Sequence, residues 1–273
     1  MRNLGCGLVI AIAAACGGGD DGPGGGGSDG GTCACDFGER CVQNVCTPVR
    51  YLALNVSETT TTNGVGAAAT GCFYRVAATD PLVISETEDG LCTITVLQQG
   101  TTQSITEARD GGQLRIEGTS AGTLSLAPTP STAGCYSSMT AAADLFADGA
   151  TIRFVGTGGV DLPAFSEEVE APSTIQFTAG TPVAGQPHAL TWSGAPAGRV
   201  NYSLISIGVQ PTTYVFCQLP DTGSFTLPAS TTSRLPAGAT FYQGMGRYNR
   251  VHLEPAGTDA VIDLTVTTYD TVP

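Results

Sequence analysis

The groups able to do acid–base or nucleophilic chemistry in this chain are few. Glu86 and Glu88 stand two apart in PLVISETE, a run that reads as a strand, so both project from one face. A pair of carboxyl groups about 5–10 Å apart can hydrolyse a glycosidic bond, and with Asp89 the same acids could hold calcium. They also lead straight into a Glu88-Asp89-Gly90 turn, where solvated acids are ordinary. GTSAG (118–122) has the G-x-S-x-G spacing that presents a serine nucleophile on a strand-to-helix elbow. The run GTLSLAP just beyond Ser120 reads as a second strand, so a hairpin turn accounts for the motif. His188 shares the parity of Leu190 and Trp192 and belongs at the mouth of a core face. His252 alternates with Val251 and Leu253 and points outward. All 11 basic residues are arginine, which removes every lysine-dependent mechanism. The expectation is a protein that is not an enzyme, with no cofactor and no metal.

Binding chemistry is better supplied. Tyr214, Phe216, Tyr242 and Tyr248 lie within one stretch, and exposed rings at strand spacing can stack on sugars as readily as they fill a core. A carbohydrate-binding or carbohydrate-active surface is therefore the alternative to a plain binding or envelope-structural role, with Glu86 and Glu88 as its acids. The formal net charge of −13 repels phosphate backbones and argues against a nucleic-acid partner.

The elements that must carry these residues are strands. Segments such as CFYRV, LCTITVL, GQLRIEG and GTLSLAP are short and rich in β-branched residues. They are separated by TEDG, RDGG and SAG turns, the mark of an all-β chain. One stretch, SMTAAADLFADG, reads as a helix closed by Gly149. In the C-terminal part three sets alternate inward: Leu190 and Trp192; Val200, Tyr202 and Leu204; Ile262, Leu264 and Val266.

The start of the chain speaks of export. MRNLGCGLVIAIAAAC combines Arg2, an apolar run from Leu8 to Ala15, and small residues before Cys16. The run is shorter than the roughly 20 residues a permanent span needs. Ala13-Ala14-Ala15-Cys16 resembles the lipobox of bacterial lipoproteins. That resemblance implies cleavage after residue 15, a lipid on the Cys16 thiol, and an outer-membrane or cell-surface location, with the membrane as partner through the anchor. The glycine-rich thread beyond Cys16 is flexible coil with a reach of roughly 20–24 Å, slack that an anchored domain requires.

Of the ten cysteines, Cys6 leaves with the leader and Cys16 is the lipid site. Cys33, Cys35, Cys41, Cys46, Cys72, Cys92, Cys135 and Cys217 are disulfide candidates, because an exported chain meets an oxidising compartment. Residues 33–46 cannot bury a core and need covalent staples. Their C-x-C and C-x4-C spacing suits disulfides better than a four-thiolate zinc site. Four cysteines leave three connectivities open. Cys72 and Cys92 open strands that flank the turn at residues 88–90, which suggests a 72–92 bridge. Cys33-Ala-Cys35-Asp-Phe-Gly38 resembles the last part of an EGF-like module.

The order FTAGTPVAGQPHALTW, CQLPDTGSFTLPAS, LPAGATFYQ resembles immunoglobulin-like modules of cell-surface proteins, including lipoproteins of myxobacterial type. It implies a β-sandwich over residues 173–273. The expected organisation is a leader (1–15), lipidated Cys16 with a tether (16–32), a disulfide knot (33–50), a first β-sandwich (51–172) and the immunoglobulin-like one (173–273). The outstanding ligand is an envelope glycan or protein.

Overall fold

A computed structural model describes residues 39–42, 45–48, 50–61, 64–75, 83–97, 107–129, 134–140, 145–193, 198–256, 258 and 260–272. The leader, Cys16, the tether, Cys33 and Cys35 lie outside these residues. β1 (Glu39–Val42) and β2 (Val45–Pro48) form a hairpin of their own, with Cys41 and Cys46 at directly opposite register positions. β3 (Arg50–Thr61) and β4 (Gly64–Arg75) pair along their full length. β5 (Val83–Asp89) and β6 (Cys92–Leu97) make a hairpin, and β7 (Glu107–Ala108) adds two residues beside β4.

Five more strands precede residue 172: β8 (Leu114–Thr119), β9 (Gly122–Pro128), β10 (Cys135–Thr140), β11 (Thr151–Gly156) and β12 (Phe165–Glu170). After it come β13 (Phe177–Ala179), β14 (His188–Trp192), β15 (Arg199–Ile207), β16 (Thr212–Pro220) and β17 (Ser224–Leu227). One helical turn, α1 (Ala229–Thr232), precedes the long β18 (Thr240–Leu253) and β19 (Ala260–Val272). The fold is all-β, as the alternating segments imply. Among the described residues no helix is long and apolar enough to cross a membrane.

Most strands join one continuous sheet in the order β12-β11-β8-β9-β10-β4-β3-β19-β18-β15-β16-β6-β5. Only β3 and β19 within it run parallel, from Ala260 opposite Arg50 to Asp270 opposite Thr60. At one end the sheet rolls over until β12 approaches β18, where the Asn249 amide donates to the Glu170 carbonyl at 2.8 Å. At the other end the small sheet β13-β14-β17 lies across β6, β16, β15 and β18 to form a sandwich. Two side chains of the large sheet tie the small one down: Asp270 accepts the Phe177 N–H at 2.7 Å, and Gln243 donates to the Gly180 carbonyl at 2.9 Å.

Two cores result. The first gathers Leu52, Leu54, Phe73, Ile116, Ile152 and Phe154 with Ile262 and Leu264; the second gathers Ile94, Trp192, Tyr202, Leu204, Val215 and Met245. Along β18 the odd positions from Phe241 to Leu253, and along β19 the even ones, face inward, so both cores are successive patches on one face of a single two-stranded ribbon. Each fully buried aliphatic or Phe side chain contributes about 1.5–3 kcal/mol.

Between the cores sits Arg247, with a side chain 8% exposed, paired to Asp221, which is 0% exposed. All three guanidinium nitrogens are bonded. Nε and one terminal nitrogen reach Asp221, the other reaches the carbonyls of Ser173 and Thr174, and the Ser193 carbonyl is taken as well. Trp192 donates its indole N–H to the same Asp221 carboxylate at 2.7 Å.

Four expectations need correction or refinement. The 72–92 bridge does not form: Cys72 is bonded to Cys135 and Cys92 to Cys217, each pair at directly opposite positions of neighbouring strands. β4 and β6 are not neighbours, so local sequence order misleads here. The helix over SMTAAADLFADG is absent from the described part of that stretch. Ser138, Met139 and Thr140 belong to β10, and Leu145 and Phe146 turn into the first core with their N–H groups held by the Glu58 carboxylate. The division at residue 172 is crossed twice, because β5 and β6 join the C-terminal sandwich while the first half of β19 completes the earlier core. For the same reason Ile262, Leu264 and Val266 point inward as expected but line the first core.

Candidate binding face

The face of the large sheet opposite the cores collects the aromatic residues. Register places them on a grid. One row runs Tyr242, Ile205, Tyr214, Thr95 and Glu86 across β18, β15, β16, β6 and β5. The next runs Gly244, Ser203, Phe216, Thr93 and Glu88 over the same strands. A third runs Tyr269, Gly246, Asn201 and Gln218 from β19 to β16. With strands about 4.8 Å apart, Tyr242 and Tyr214 are separated by roughly 10 Å.

The glycines explain the shape of this face. Gly244 and Gly246 alternate on β18, so two successive outward positions carry no side chain. The Tyr269 ring lies across both: a Cβ at Gly246 would stand 2.7 Å from the ring, and one at Gly244 would overlap it. Its hydroxyl reaches over β18 to hydrogen-bond with the Ser203 hydroxyl on β15. Burial pushes this phenol up to about 12, so it stays neutral. Tyr242 beside it is 40% exposed. Tyr214, Tyr248 and Ile205 are half-buried, while Phe216 is buried and packs at 6.4 Å against Tyr214. Ser203, Thr93, Thr95, Asn201 and Gln218 surround the rings with hydroxyls and amides at half-buried positions.

All four aromatics named from sequence thus share this face, although Tyr248 stands two positions beyond Gly246, opposite Thr267. No protein-family model matches the chain, and no curated protein matches it. Tyr269 does not stand out in the sequence. Its one signal is the G-M-G spacing of 244–246, a strand that leaves space for a ring from its neighbour.

The acids behave as edge residues. Glu86 and Glu88 occupy alternate positions of the terminal strand β5, and Glu88 is exposed. Asp89 faces the other way, accepting from Ser230 Oγ at 2.7 Å and Thr231 Oγ1 at 2.6 Å. These hydroxyls, Thr231 first, hold its carboxyl below the usual range. Ser120 is an exposed hairpin tip between β8 and β9, with Thr119 opposite Gly122. Among the described residues no cluster of His, Cys, Asp or Glu is arranged to hold a metal.

The histidines divide as their parity indicates. His188 is buried and its Nε2–H donates to the Gln243 side-chain oxygen at 2.8 Å, an acceptor it shares with the Tyr202 hydroxyl. His252 lies directly opposite Asp263, with Nδ1 2.8 Å from the carboxylate. Arg250 binds the same carboxylate at 2.8 and 2.6 Å. Glu254, two residues on, lies 3.5 Å from Nε2, but the closer partner Asp263 comes from the facing strand and carries no local signal in the sequence. Chiefly the Asp263 hydrogen bond raises the His252 pKa above its ordinary value.

A cleft of about 290 Å³ between the cores is lined by Glu170, Ser173, Arg199, Arg247 and Asn249. Arg247 and Asn249 are already hydrogen-bonded there to main-chain carbonyls. The cleft is a joint.

Proposed function

We propose that this chain is an exported, lipid-anchored protein of the outer membrane or cell surface with a non-catalytic binding role. The observation that carries the compartment is the pair of disulfides, Cys72–Cys135 and Cys92–Cys217, set between opposite positions of neighbouring strands. Such bonds form and persist in oxidising compartments, which agrees with the export leader and with a lipid on Cys16. Rings, hydroxyls and amides dominate this sheet face, groups suited to hold a ligand by stacking and hydrogen bonding. Labelled palmitate fed to expressing cells is expected to enter the wild-type protein and to be lost in Cys16→Ala. Label retained by the variant would overturn the anchor.

A carbohydrate ligand is the second reading, favoured by the Tyr269 ring laid flat over the Gly244–Gly246 trough. Neutral rings backed by amides and hydroxyls suit the alternating apolar and polar surface of a sugar.

A further inference from the structure

Resting on the binding role of that face, we propose that its ligand is an uncharged, extended chain of equatorially linked pyranose rings lying across the strands from Tyr242 to Tyr214. Three observations converge. The Tyr269 ring is pressed onto the sheet by two missing side chains and tied by its hydroxyl to Ser203, so its plane is fixed before any ligand arrives. A pre-set ring loses little freedom on binding. Tyr242 and Tyr214 lie in one row two strands apart, roughly 10 Å, and Ile205 keeps the ground between them apolar. That distance spans two sugars of an extended, equatorially linked chain, in which alternate rings turn the same face to the protein.

Equatorial substituents leave the axial C–H groups on the flat faces of each ring, where they meet aromatic carbon, and direct the hydroxyls sideways. In the same row lies Thr95 and one row along lies Ser203, hydroxyls able to donate and accept. The charge of the chain selects further. With a net charge of −13, and with Glu86 at the edge-strand position of this row and Glu88 at that of the next, a polyuronate or sulfated chain is repelled. A neutral glucan and an N-acetylated amino-sugar polymer share the required chemistry.

The test is calorimetric titration of the full chain in detergent with cellohexaose, with hexa-N-acetylchitohexaose and with oligoalginate. At least one neutral hexasaccharide is expected to bind and the alginate to fail. Tyr242→Ala and Tyr214→Ala should each weaken binding on the order of tenfold, whereas Tyr242→Phe, which keeps the ring, should bind as the wild type does. Unchanged circular dichroism and thermal midpoint show that the variants are folded. Failure of both neutral sugars, binding indifferent to the two alanine variants, or equal affinity for the alginate would each overturn the inference. Retention of wild type, but not of Y214A/Y242A, on envelope fractions without any sugar binding would sink the glycan and leave the binding role standing. Loss of both would remove the two together.

Discussion

At the scale of single residues, partners are chosen across strands. His252 and Asp263 stand on consecutive strands, directly opposite in register, with Arg250 on the same carboxylate. Because the folded pKa of His252 is raised, mainly by the Asp263 hydrogen bond, its protonated form stabilises the native state. That contribution is complete below the ordinary value of 6.5 and is lost as pH rises through the higher folded value. The thermal midpoint of the wild type should exceed that of His252→Gln most below pH 6.5, and the gap should close at higher pH. The parity of Leu190, Trp192 and Tyr202 was legible from their neighbours alone, because a period of two needs no knowledge of the partner strand. Asp263 and Tyr269 were not legible as site residues, since each acquires its role from the residue that β18 sets beside it.

Among elements, the β18–β19 ribbon does the most. Its inward side serves two cores in turn and its outward side carries the Gly244–Gly246 trough. Where one core gives way to the other, Arg247 gathers Asp221, the Ser173–Thr174 crossing and the Ser193 carbonyl. Arg247→Met would leave the buried Asp221 carboxylate with no cation beside it and take a donor from the Ser173, Thr174 and Ser193 carbonyls, of which Ser173 keeps the Thr268 hydroxyl, at a cost of about 3–5 kcal/mol. Urea denaturation should register that loss, and the double variant R247M/D221N should lose less than the two single ones summed. The strands themselves were readable from β-branched runs and glycine turns, down to the hairpin tip at Ser120. The helix expected over residues 138–149 is absent from the described residues 138–140 and 145–149, for a physical reason. Leu145 and Phe146 are held in the first core, with their N–H groups on the Glu58 carboxylate, and that tertiary burial outweighs local helix propensity at these two positions.

For the molecule as a whole, connectivity is what sequence hid. Composition and turn spacing identify sheets, whereas the order of strands depends on encounters between distant segments. Residues 83–97 carry no local mark that sends them to the C-terminal sandwich; Cys92, bonded to Cys217 at a sequence separation of 125, is the one covalent trace of it. Replacing both with alanine should cost about 2–5 kcal/mol, seen as a lower urea midpoint, and should loosen the β5–β6 hairpin first in hydrogen exchange. The corresponding Cys72–Cys135 replacement should instead deprotect β4 and β10.

The parallel seam between β3 and β19 has its own consequence for how the chain is made. Arg50 to Thr60 emerge from the ribosome early, and their partner backbone, Ala260 to Asp270, comes some two hundred residues later. Until residues 260–270 are in place, one edge of β3 is an unpaired row of amides and carbonyls open to other strands. Pairing across so long a separation is intrinsically slow, which makes this seam a late event in building the sheet.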